Sequence, residues 1–182
     1  TNDLRFANHT VQGCTVFGGK IGIFFRNAGI SRIINNNISY ASAQGIYLYT
    51  SGDTNLIGNY INSINVDYDG NDLLMGAGIV IDQYGGSVSI IGGKIEWNAK
   101  GAVIRRSSAV KISSVHFDVN RFFHIGIISQ TPDDLMLGNI FTGNNFSSGG
   151  TKTDSNGLGG AHIVIASLGV APSSTLTGVI AS

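Results

Sequence analysis

Apolar and polar residues alternate along this chain in short bursts, and the longest bursts open on a glycine: Gly22-Ile23-Phe24-Phe25, Gly45-Ile46-Tyr47-Leu48, Gly78-Ile79-Val80-Ile81, Gly101-Ala102-Val103-Ile104 and Gly126-Ile127-Ile128. About eleven residues after each glycine begins an apolar pair with members five residues apart: Ile33/Ile38, Leu56/Ile61, Ile90/Ile95, Ile112/Phe117 and Met136/Phe141. The glycines lie 23, 33, 23 and 25 residues apart, so a unit holds about 23 residues, with one insertion of about ten. Period-two alternation predicts strands, and no helical stripe exceeds two turns. A period in this range marks a solenoid, in which stacking rather than any one unit builds the core. Three short strands per unit, joined by Asn, Gly and Ser turns, predict an all-β, right-handed parallel β-helix of about seven coils.

The alternation also assigns directions. With the apolar pairs inside, Ile23/Phe25, Ile46/Leu48, Ile79/Ile81 and Ala102/Ile104 face inward as well. Trp97 is expected inward by the same parity. One outward column then reads Phe24, Tyr47, Val80, Val103, Ile128, an apolar stripe that predicts cover by another chain, most plausibly in a trimer, or by flanking segments. Asn36, Asn59 and Asn139 form one expected turn column and Asn98, Asn120 and Asn144 another, suited to side-chain amide ladders between coils. Departures from the repeat fall at the insertion 65–75 and in the Gly/Ser-rich stretch 147–160, and long loops on a rigid solenoid are where binding usually sits.

Composition narrows the picture. The 182 residues predict one domain, 1–182, with regular coils over about 5–146 and loop and terminal coils over 147–182. Eleven basic and eleven acidic residues balance, which argues against nucleic acid or a membrane surface as partner. A single cysteine, Cys14, excludes an intrachain disulfide, and it is expected to fill an interior site. No apolar run is long enough for a membrane helix. The start without methionine or secretory character suggests a processed chain or a piece of a longer one.

Candidate chemistry lies in the outward columns. One reads Ser39, Asn62, Glu96, Asp118, Thr142, and it sets Glu96 and Asp118 on neighbouring coils. Stacked strands hold equivalent positions about 4.8 Å apart, near the separation of about 5 to 5.5 Å between the carboxyl groups of a retaining glycosidase. The column two residues earlier, Asn37, Tyr60, Lys94, His116, Ile140, flanks the acids with a base and an imidazole. Those four groups fit acid/base catalysis, but the plainer expectation is a surface ion-pair network that stacks two coils. A third column, Arg26, Tyr49, Asp82, Arg105, Gln130, puts Asp82 beside Arg105, which would hold a uronic acid or bridge two strands. Tyr47, Tyr49 and Tyr60 offer outward faces for sugar rings. Asp67, Asp69 and Asp72 have oxygen-ligand spacing without the full calcium loop, and a solvated loop is the plainer expectation. No Rossmann, Walker, zinc or nucleophile-elbow motif is present, so no cofactor or metal is expected.

Units such as Gly45-Ile46-Tyr47-Leu48 followed by Asn55-Leu56-Ile57-Gly58-Asn59-Tyr60-Ile61 resemble the pectin-lyase-like right-handed β-helix superfamily, and within it the low charge and Gly/Ser-rich end look most like bacteriophage tailspikes. The resemblance covers about 5–146 strongly. It implies a homotrimeric virion protein, on the phage tail and acting at the host cell surface, that binds and usually cleaves capsule or O-antigen polysaccharide through Asp/Glu pairs. Glu96 and Asp118 would be the catalytic pair, with Lys94, His116, Tyr60, Tyr49, Asp82 and Arg105 binding substrate. The paired-Asp and Gly-His-Gly motifs of polygalacturonases do not occur. Two alternatives keep the fold and change the chemistry: a secreted polysaccharide lyase using a cation at Asp67, Asp69 and Asp72 with Arg105, and a trimeric fibre segment that binds glycan without cleaving it.

Overall fold

The computed structural model describes residues 6–83, 86–129, 138–150, 152–153, 159–167 and 180–181. Every regular element among them is a strand, and every strand pair is parallel. Three sheets run the length of the stack, with seven, six and six strands. The first gathers three-residue strands such as Asn55–Ile57 and Ser89–Ile91, the second Tyr60–Asn62, Lys94–Glu96 and His116–Asp118, and the third the longer Gln44–Tyr49, Ala77–Asp82 and Lys100–Arg105. Each coil visits them in that order, giving six to seven turns of a parallel β-helix. A two-stranded ribbon, Phe6–Ala7 with Ala28–Gly29, sits at the start.

The apolar pairs meet inside as the spacing predicts. Ile33, Leu56, Ile90 and Ile112 from the first sheet pack against Ile38, Ile61, Ile95 and Phe117 from the second. Ile46/Leu48, Ile79/Ile81 and Ala102/Ile104 close the third side. The marker glycine enters the third sheet where the chain turns tightest. A Cβ on Gly45 would lie 2.5 Å from the Gly78 carbonyl oxygen and 2.7 Å from a methyl of Ile61. The backbone of the next coil occupies that space, which is why glycine recurs there. Gly45→Ala is therefore expected to destabilise the protein by about 3 kcal/mol, read as a lower urea midpoint, because the obstructing atom belongs to backbone.

Past Gly101 the register departs from the sequence expectation. Val103 pairs with Gly126 and Arg105 with Ile128, so His124, not Gly126, stands in the glycine column. The carbonyl of His124 would lie 2.2 Å from a Cβ on Gly101. The last apolar pair shifts likewise: Phe141 stacks on Ile112 and Phe146 on Phe117. The outward columns next to the second sheet thus continue through Asn145 and Ser147, while Ile140 and Thr142 belong to the first sheet. Met136 and Gln130 lie outside the described residues. Extra residues between Ser129 and Asn139 displaced the predicted unit by five positions.

The asparagines occupy three different turns. Asn36 Nδ2 donates to Asn59 Oδ1 over 3.0 Å, and Asn98 Nδ2 donates to Asn120 Oδ1 over 3.0 Å, forming two short amide ladders. Asn139 and Asn144 belong to neither. Asn144 caps the turn between the first two sheets by accepting from the amide of Val115, and Asn139 serves the turn before the first sheet by accepting from Val110. Cys14 is exposed rather than interior.

The outward apolar stripe is covered in its middle by the chain itself. Val80 and Val103 are fully buried in a second apolar cluster with Leu73 and Leu74 of the insertion, Phe122 and Phe123, against which Tyr68 also packs. Lys100 pins this cover: its buried Nζ donates to the carbonyls of Asp72 at 3.0 Å and Met75 at 3.2 Å, 5.2 Å from the Tyr68 ring centre. Phe24 remains exposed at the open end of the stripe.

Candidate functional site

On the outer face of the second sheet, Glu96 is in register with Asp118 on one side and Asn62 on the other, as Lys94 is with His116 and Tyr60. Glu96 is 6% exposed. Its Oε2 lies 2.5 Å from Lys94 Nζ, and its Oε1 accepts a short hydrogen bond from the Tyr60 hydroxyl. That bond, with burial and the charge of Glu96 behind it, pushes the Tyr60 phenol up to about 12, so Tyr60 stays a donor across the working pH range. Asp118 is more open, with His116 Nε2 4.0 Å from Oδ2 and the same nitrogen 3.2 Å from Ser147 Oγ. The ion pairs run along each strand, and the links between coils are the Tyr60 to Glu96 bond and the His116 to Ser147 contact. One carboxylate is thus anchored and buried, and the other is more accessible.

Tyr49, Asp82 and Arg105 lie elsewhere, on the outer face of the third sheet. Asp82 is 0% exposed and holds Arg105 through Nε at 2.8 Å and Nη2 at 2.5 Å, with Arg106 Nη2 at 3.3 Å. The Tyr47 hydroxyl donates to Asp82 Oδ2 over 3.0 Å, and burial followed by the Asp82 charge pushes that phenol up to about 12. Of the two expectations for this pair, the strand bridge is what forms. A carboxylate sealed beneath two guanidinium groups and a phenol has no open face for a sugar. Tyr49 packs edge-on against Tyr47 with the Arg26 guanidinium 5.6 Å from its ring centre. In the insertion, Asp69 pairs with Arg121 at 3.5 Å and Asp72 accepts from the amide of Leu74, so these acids serve the loop's own shape.

The sequence reading missed the aromatic residues beside the carboxylates. Trp97 is 52% exposed, not interior. The residue that follows four successive second-sheet strands adopts a left-handed backbone, with φ of 58° at Tyr40, 57° at Ser63, 54° at Trp97 and 49° at Val119, and the turn throws its side chain outward. Tyr40 and Phe17 meet with ring centres 5.0 Å apart and planes tilted by 45° on the same face, both exposed. The signal was present in Gly18, whose place in the first coil is that of Trp97 two coils after Tyr40.

His124, buried in the glycine column, is fixed by two bonds. Nε2 donates to the Ser147 carbonyl at 3.3 Å, so Nδ1 accepts from Asn120 Nδ2 at 2.9 Å. Its ring stacks on His162 at 5.0 Å and on Phe146 at 5.8 Å. Burial pushes its protonation down to about 4. The unfolded chain takes up this proton near pH 6.5 and the folded chain near 4, so the stability present above 6.5 is lost as pH falls through that window, by at most about 3 kcal/mol. Urea midpoints at about pH 7.5 and 4.5 should show this loss, and His124→Gln should shrink the difference between them.

With this geometry in view, residues 2–164 match the family described as right-handed beta helix region, and the chain belongs to that family. Among solved structures it is similar to the enzymatically active domain of tailspike protein 2 of bacteriophage CBA120, with a TM-score of 0.56 and 14% identity over 87% of this chain. The chain spans a quarter of that structure's length, and at this identity the likeness is one of fold, a parallel β-helix. No curated protein matches the chain.

Proposed function

We propose that this chain is the helix segment of a phage tailspike that binds and hydrolyses bacterial surface polysaccharide, capsule or O-antigen, as a homotrimer on the virion tail at the host cell surface. The observation that carries this reading is the in-register pair Glu96 and Asp118 on an outer face that also bears Phe17, Tyr40 and Tyr60. Neighbouring strands hold the two positions at about the spacing retaining hydrolysis uses. As general acid, Asp118 gives a proton to the glycosidic oxygen as the bond to the anomeric carbon breaks, and Glu96, oriented by Lys94 and Tyr60, attacks that carbon. Water, deprotonated by Asp118, then cleaves the glycosyl ester and restores both carboxyl groups.

The test is release of reducing ends from a panel of bacterial capsules and O-antigens, with Glu96→Gln and Asp118→Asn beside the wild type. Full activity in both variants would remove the site assignment. A second reading, a fibre segment that binds glycan without cutting it, is favoured by one observation: both oxygens of Glu96 are already engaged, by Lys94 and Tyr60. It predicts glycan binding with no new reducing ends.

A further inference from the structure

The face described above ends at a groove of about 550 Å³ whose walls include Val66, Asp67, Trp97, Val119, Arg121 and Lys152. Trp97 and Val119 directly follow Glu96 and Asp118, so the groove opens one residue, about 3.3 Å of strand, beyond the carboxylate pair. Left-handed backbone at this turn suits glycine or asparagine, and Gly18 occupies it in the first coil. Here it carries the largest apolar side chain, half exposed, where no core packing repays the substitution. The groove's charges balance: Arg121 is engaged by Asp69 at 3.5 Å, and Lys152 and Asp67 share the lining with opposite signs.

We infer that the groove beside Trp97 is a subsite for a neutral pyranose ring, stacked by its C–H face on the indole, and that it sets which sugar of the chain is presented to Glu96 and Asp118. This deepens the glycan reading above and rests on it. An aromatic plane supplies the apolar area a sugar face needs, and a groove without net charge has no preference for a uronate. Trp97 is a sugar-binding residue: it stacks on a ring next to the bond that breaks and takes no part in the proton or bond transfers.

Trp97 is the sole tryptophan of the chain, so its fluorescence reports on this groove alone. The intact protein is titrated with oligosaccharides representing neutral and acidic repeats of bacterial capsules and O-antigens, following indole emission, acrylamide quenching and reducing ends in parallel. A neutral oligosaccharide should shift the emission and shield the indole from acrylamide. Trp97→Ala should weaken its binding roughly tenfold and raise KM more than it lowers kcat, with Trp97→Phe recovering part of the loss. Cleavage with silent, unshielded tryptophan would overturn the subsite while leaving hydrolysis standing. A tryptophan response without cleavage would support the subsite and overturn hydrolysis. A response to acidic repeats alone, or none to any repeat, would overturn the inference.

Discussion

Asp118→Asn should lower polysaccharide cleavage by about a thousandfold, because it removes the group that protonates the leaving oxygen and later deprotonates water. KM should move little, since the amide that replaces the carboxyl group keeps its shape and its neighbours. Azide separates this role from a merely structural one. As a nucleophile that needs no base, it should restore turnover of a substrate with an activated leaving group in Asp118→Asn and yield a glycosyl azide. Glu96→Gln should be at least as slow, and any glycosyl azide it yields should have the inverted anomeric configuration, because no glycosyl ester forms and azide must attack the anomeric carbon directly. That variant keeps the Tyr60 contact available but leaves Lys94 without its carboxylate. Equal rates for wild type and both variants would show that cleavage, if any occurs, happens elsewhere on the molecule.

Asp82→Ala is expected to cost about 4 kcal/mol of stability, the largest loss for any single substitution considered. Its carboxylate is the common acceptor for Arg105, Arg106 and Tyr47, and removing it takes a buried counter-charge from two half-buried cations and a phenol. Replacing the acid and its main partner together, Asp82→Leu with Arg105→Met, should recover much of that loss, as buried ion pairs often exchange for apolar pairs. Urea denaturation of the three proteins gives the comparison. Glycan binding at the Glu96 face should persist in whichever variants remain folded, since Asp82 sits on a different sheet. A stable Asp82→Ala that has lost glycan binding would instead restore its role as a uronate contact.

Period and parity made the helix legible because the inner wall tolerates few choices. Glycine is required where a coil approaches the next within 2.6 Å of a missing Cβ, as at Gly22, and a slip of one residue would turn Ile61 or Ile95 to solvent. The neighbouring positions of Glu96 and Asp118 followed from the same register. Three features were not legible, each for its own reason. The insertion 65–75 hides two leucines that fold over Val80 and Val103, a long-range contact no periodicity encodes. The extra residues before Asn139 imitate a regular unit, with Met136 at pair spacing from Phe141, and this misplaced the final columns. Trp97 breaks parity because a left-handed turn residue no longer follows the strand's alternation. Nor does column counting report which side of the tube a column faces, so Tyr49, Asp82 and Arg105 were grouped with residues from another sheet.

The pinned insertion divides labour within one segment. Leu73, Leu74 and the carbonyls held by Lys100 form its root, whereas Val66 and Asp67 form a tip at the groove. Within that loop only the tip is exchangeable: rewriting Val66 and Asp67 reshapes the groove's rim, while Tyr68, packed on the buried cluster, and Asp69, paired with Arg121, stay as they are. A handful of changes at that tip would alter the rim of the groove, with the scaffold left as it stands.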